Sequence, residues 1–131
     1  MNPKRAETRT ASPAEGRGRL RVAATYLEVA ELIEVEDGAA INVCVGVAVL
    51  AGIAAADAIC SAGLGERHAG ADHRGAARLL GRVDRSLARQ LSELVEMKAR
   101  SHYGADLLTP RDRARALRCA RALVAAARLR Q

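Results

Sequence analysis

Apolar positions recur every third or fourth residue in three stretches of this chain, and a fourth stretch is apolar on all sides. Leu20, Ala23, Ala24, Leu27 and Ala30 form a stripe edged by Glu31 and Glu34. They predict a first helix over residues 18–35, stopped by Asp37 and Gly38. Ala76, Leu79, Leu80, Val83, Leu87, Leu91, Leu94 and Val95 hold the spacing longest. With Asp72 as N-cap, they predict one continuous helix from residue 73 to about residue 98, with Arg78, Arg82, Arg85 and Arg89 facing outward. The last helix is expected to open at "TPRD". There Thr109 caps, Pro110 suits the first helical position and Asp112 closes a capping box; Ala116, Cys119, Ala120, Leu123, Val124 and Ala127 form its buried face.

The remaining stretch carries no charge over the nineteen residues 38–56, long enough to span a bilayer. It is rich in Ala and Gly, has no Trp or Tyr belt, and meets Asn42 and Asp57 near its ends. A helix apolar all round is equally the central helix of a bundle, and the amphipathic neighbours need such a surface to cover. The expected fold is therefore all-α, an antiparallel four-helix bundle over residues 18–131, with no membrane partner. Residues 1–17 read as a disordered basic tail, "GLGERHAGAD" as a loop, and no strand pattern is visible.

Charge and composition narrow the partners. The net charge is +6, and residues 111–131 hold seven Arg against the single acid Asp112, while acids gather at Glu28, Glu31, Glu34, Glu36 and Asp37. Such a cationic last helix attracts phosphates or an acidic partner. Phe and Trp are absent and Tyr26 and Tyr103 are the only aromatics, which argues against readers that stack bases on aromatic rings. Cys44, Cys60 and Cys119 are odd in number and lack paired spacing, so they read as free thiols of a cytoplasmic protein.

Antiparallel packing partitions the polar groups into two separate poles. One holds Asp57, Glu66, Arg67, His68, Asp72 and His73, with Arg21, Arg67, Arg121 and Arg128 as possible partners for the Asp57 carboxylate. The other brings Lys98, Arg100, His102 and Tyr103 toward Asn42. Cys60, His68 and His73 match no compact zinc spacing, so neither metal nor cofactor is expected. No nucleophile elbow, Walker loop or dinucleotide fingerprint is present.

The uncharged helix with "AAADAIC", the loop "LGERHAGADH", the junction K-x-x-x-HYG at residues 98–104 and the "TP" start of the last helix resemble the HEPN superfamily, in particular its small stand-alone bacterial members. That resemblance implies a homodimer, and in many members a metal-independent ribonuclease toxin of a toxin–antitoxin or defence system. An Arg-x4–6-His motif then does the chemistry: the histidine moves a proton and the arginine stabilises phosphate charge. His102 matches the histidine, but Val95, Glu96 and Met97 stand where the arginine would be. The expectation is thus a helical module that binds RNA, a nucleotide or a protein partner such as an antitoxin without catalysis, through Lys98, Arg100 and Tyr103. Its alternative is a ribonuclease in which His102 is the acid/base and Lys98 or Arg100 replaces the arginine.

Overall fold

The computed structural model describes residues 7–103 and 107–131, with the side chains of His102 and Tyr103 outside the described set. The chain is mainly helical: β1 (Thr8–Thr10), α1 (Pro13–Leu32), α2 (Ala39–Leu64), β2 (Glu66–His68), α3 (Arg74–Leu80), α4 (Arg85–Tyr103) and α5 (Pro110–Leu129).

Helix α1 starts within the segment expected as a tail. Ser12 Oγ accepts the Glu15 N–H at 3.1 Å and Pro13 occupies the first turn, a start signal that lies ahead of the apolar stripe. Before it, β1 pairs antiparallel with β2, Thr8 opposite His68 and Thr10 opposite Glu66. The expected loop thus contains a short strand. Both strands are polar and three residues long, too short to show an alternating pattern.

Helix α2 is the core. Ala51, Ala54, Ala55, Ala58 and Ile59 lose all contact with water, and α1, α4 and α5 pack around it. Gly16 lies against Ser61 and the Cys44 thiol donates to the Ala30 carbonyl at 3.3 Å, so α1 and α2 run in opposite directions. Gly63 meets Val83 and Gly52 meets Leu91 and Leu94, so α4 reverses again. A Cβ on Gly52 would collide with Leu94, which is how the α2 and α4 backbones come so close. By length and composition α2 passes for a membrane span, yet 78% of its most apolar window is buried inside the protein. It ends at Gly65, whose φ of 67° is the left-handed C-cap conformation.

The single helix expected from residue 73 to about residue 98 is instead two. The Asp84 carboxylate accepts the Leu87 N–H at 3.0 Å and caps α4, and α3 folds back along it. Apolar spacing runs unbroken across the turn because Leu80, Val83 and Leu87 all reach the core or pack against it, so periodicity alone misses the break. The start of α5 follows expectation: Asp112 N donates to Thr109 Oγ1 at 3.1 Å and the Asp112 carboxylate accepts back from the Thr109 N–H at 2.9 Å.

Candidate functional site

The α3–α4 turn redistributes the polar residues. Because α3 doubles back, the segment ahead of it reaches the far part of α4, and His73 and Lys98 line one cleft of about 320 Å³ with Asp72, Arg74 and Glu96. An adjoining cleft of about 340 Å³ continues between Arg74, Arg78, Ser92, Val95 and Glu96. The two expected poles are therefore not separate: Asp72 and His73, assigned to one, stand beside Lys98, assigned to the other. A long unbroken helix would have kept them apart.

Charges in this cleft are unevenly satisfied. Arg74 donates from Nε and Nη2 to the Asp72 carboxylate at 3.1–3.3 Å and from its backbone N–H at 3.0 Å. Those bonds hold the Asp72 carboxyl down at about 2. Lys98, by contrast, has no ion-pair partner among the described residues. Burial, then Lys98, then His68 lower the His73 pKa from its ordinary 6.5, against a smaller raising effect of Asp72. The His73 and His68 rings lie 6.4 Å apart between centroids. Both His68 nitrogens and His73 Nδ1 are buried with no hydrogen-bond partner among the described residues.

Deeper on the same side, Asp57 is 7% exposed and accepts from Arg19 Nε at 3.0 Å. The expected partners were Arg21, Arg67, Arg121 and Arg128. Antiparallel packing of α1 instead sets Arg19 opposite Asp57, leaving Arg21 exposed and sending Arg121 to Glu31 and Glu34. Arg67 and His68 contribute only longer-range attraction. Burial still wins over Arg19 and raises the Asp57 pKa above 3.8. This buried pair is a structural feature with no cavity beside it among those described.

At the junction of α4 and α5, the Asn42 side-chain oxygen accepts the Leu108 N–H at 3.0 Å. With Ser101, Val43, Gly46, Val47 and Leu50 it lines an apolar groove of about 240 Å³. Arg100 turns away to Asp112, 3.3–3.4 Å between guanidinium and carboxylate. His102 and Tyr103 fall on the last turn of α4, and the roles expected of their side chains lie outside the described residues.

Three of the six arginines of α5, and Arg130 just beyond it, have acidic partners, while Arg111, Arg118 and Arg128 are exposed without one among the described residues. Arg113 donates to the Glu36 carbonyl at 2.6 Å and to Asp37; Arg121 holds Glu31 and Glu34; Arg115 and Arg130 reach Glu93 and Asp84 at 3.9 and 3.6 Å. The net positive last helix seen in sequence is thus matched in part, by Glu31 on α1, Glu34 and Asp37 just after it, and Glu93 on α4. On the α3–α4 hairpin, Arg78, Arg85 and Arg89 are exposed and, like Lys98, make no ion pair among the described residues. The sequence sets all three on an outward face, and the hairpin brings one of them, Arg78, into the wall of a cleft.

A scan against protein-family models and a search of curated proteins return no match for the chain. Function is therefore read from the chain's own chemistry. No group of three or more metal-ligating side chains occurs among the described residues. Burial pushes the thiols up, Cys60 to about 12 and Cys119 to about 11, so neither is a thiolate nucleophile at neutral pH.

Proposed function

We propose that this protein is a HEPN-like antiparallel helical bundle of the cytoplasm that binds RNA through its α3–α4 hairpin and does not cut it. The observation that carries the reading is where the partner-free cations fall: Arg78 and Lys98 line the two clefts and Arg85 and Arg89 are exposed on the same hairpin, whereas Arg113, Arg115 and Arg121 of α5 are paired and its exposed Arg111, Arg118 and Arg128 line none of the described clefts. Such cations bind a phosphodiester backbone by displacing its counterions. With two tyrosines and no other aromatics, recognition runs through phosphates more than through stacked bases.

A non-catalytic role is supported by how the candidate cations are used elsewhere. The expected stand-ins for the missing arginine were Lys98 and Arg100. Arg100 is engaged by Asp112, and Lys98 lines the cleft with His73. A homodimer fits the exposed apolar residues on the adjoining helices α1 and α2, Val22 and Val29 on one and Val43 and Leu50 on the other.

Incubating the purified protein with total RNA in EDTA at graded salt tests this reading. Salt-sensitive binding with intact RNA is the expected result. Cleavage abolished by His102→Ala would replace it with the ribonuclease alternative, that of a toxin, for which the partner-free Lys98 is the favouring observation.

A further inference from the structure

One end of the α3–α4 cleft differs chemically from the rest. Along the hairpin the cations are solvated arginines, whereas here a half-buried Lys98 and a half-buried His73 line one concavity of about 320 Å³. We propose that the space between His73 and Lys98 is an oxyanion subsite that takes a phosphate group, and that the anion enters together with one proton taken up from solvent by His73. The inference narrows the reading of this cleft as the RNA-binding surface, and it stands on observations of its own.

Consider every charged group around the imidazole. On its own segment Asp72 is held by Arg74 through both backbone and side chain, leaving little negative charge for His73. On α4, Lys98 lies close enough to repel a proton from His73, and Glu96 is exposed at the edge of the cleft. On β2, the His68 ring stands 6.4 Å away and also disfavours a second positive charge. Asp57, which attracts His68, is already engaged by Arg19. Glu7 sits over Gly70 next to the His68 ring. The result is a place where two basic groups converge and the nearest acid is occupied.

An oxyanion reverses that balance. It accepts from the Lys98 ammonium and from an imidazolium N–H, and its charge makes protonation of His73 favourable instead of costly. The backbone beside the site is closely packed: a Cβ on Gly75 would stand 2.6 Å from the His68 ring, so glycine there lets β2 and α3 approach each other tightly. A metal ion fits less well, because no third ligating side chain joins the two histidines among the described residues.

Sulfate is the probe, since it presents the same tetrahedral oxyanion and does not titrate across the range where histidine does. The titration of the His73 imidazole is followed by NMR on the full chain, with and without sodium sulfate at matched ionic strength. Sulfate is expected to move the His73 midpoint upward, and sulfate affinity is expected to tighten by about tenfold from about pH 8 to about pH 5. Lys98→Gln should abolish the sulfate response while the spectrum otherwise keeps its dispersion, and Arg89→Gln should retain it. A His73 midpoint indifferent to sulfate in the unmodified protein overturns the subsite, as does an undiminished response in Lys98→Gln. RNA binding is measured alongside. Loss of the sulfate response with RNA binding intact sinks the subsite alone, whereas a sulfate response without RNA binding leaves the subsite standing and assigns it to a free phosphomonoester.

Discussion

Helix α5 and the α3–α4 hairpin are both rich in arginine, yet the fold uses the two sets differently. On α5 the guanidinium groups of Arg113 and Arg121 reach across to the end of α1 and the turn that follows it, where Glu31, Glu34, the Glu36 carbonyl and Asp37 receive them. On the hairpin, Arg78 and Arg89 are exposed to water, and Arg78 lines a cleft. Net charge along the sequence cannot distinguish these cases. What separates them is whether an acidic helix lies opposite, and that depends on which helices become neighbours.

The widest separation between the two sets should appear in RNA affinity. Replacing Arg78, Arg89 and Lys98 together by Gln removes three partner-free cations, and fluorescence anisotropy should then show binding weakened by about thirtyfold or more at low salt. The slope of log affinity against log salt should flatten by about two. Arg113→Gln with Arg121→Gln should leave both quantities within about twofold of the parent. Equal losses from the two sets would erase the distinction between them.

Stability should show the reverse. The Arg113 side chain is 15% exposed and satisfies the Glu36 carbonyl at the corner between α1 and α2. Arg113→Ala should cost about 1–2 kcal/mol in urea unfolding. Arg121→Gln breaks a more exposed cluster and should cost up to about 1 kcal/mol. Each hairpin substitution at Arg78 or Arg89 should stay within about 0.5 kcal/mol. A hairpin variant that unfolds more easily than Arg113→Ala would mean that its cations are tied down after all.

The hairpin itself depends on Asp84, which was the least legible feature of the sequence. Caps flanked by Pro were readable at Thr109, and the same signal at Ser12 and Pro13 was overlooked because the residues around it resemble a polar tail. The central place of α2 followed from its lack of charge. Asp84, however, sits inside a run whose apolar spacing continues on both sides, so nothing local marks it as a cap. The pairing of Asp57 with Arg19 was hidden for a related reason: helix register is set by the packing of whole faces, and a shift of two residues selects a different arginine. Nearness of His73 to Lys98 required the hairpin, and no spacing rule contains it. Asp84→Ala removes the cap on Leu87 N and the 3.6 Å contact with Arg130, so unfolding should become easier by about 1 kcal/mol. RNA affinity should fall as well, because the cleft exists only while α3 stays folded back. Unchanged affinity in a measurably frayed hairpin would move the binding surface elsewhere.

The smallest expected effect is the pH dependence of stability from His73, and its sign follows from linkage. Burial, then Lys98, then His68 lower its pKa below 6.5 in the folded chain, so at pH values between the lowered value and 6.5 the unfolded chain binds the proton more readily. Stability should therefore decline as pH falls through this window and level off below the folded value. His73→Gln should remove this component of the decline, which urea titrations at closely spaced pH values would resolve. The α5 set offers an internal control: Arg113 and Arg121 keep their charge throughout, so Arg121→Gln should displace the stability curve downward without changing its slope in the histidine range. Asp57 contributes with the opposite sign. Its raised pKa means that burial of the charged form costs stability as pH rises above 3.8 toward the folded value, so the two residues are told apart by the sign of their slopes. If His73→Gln left the slope below 6.5 unaltered, the imidazole would be free of the electrostatic pressure that distinguishes its end of the cleft.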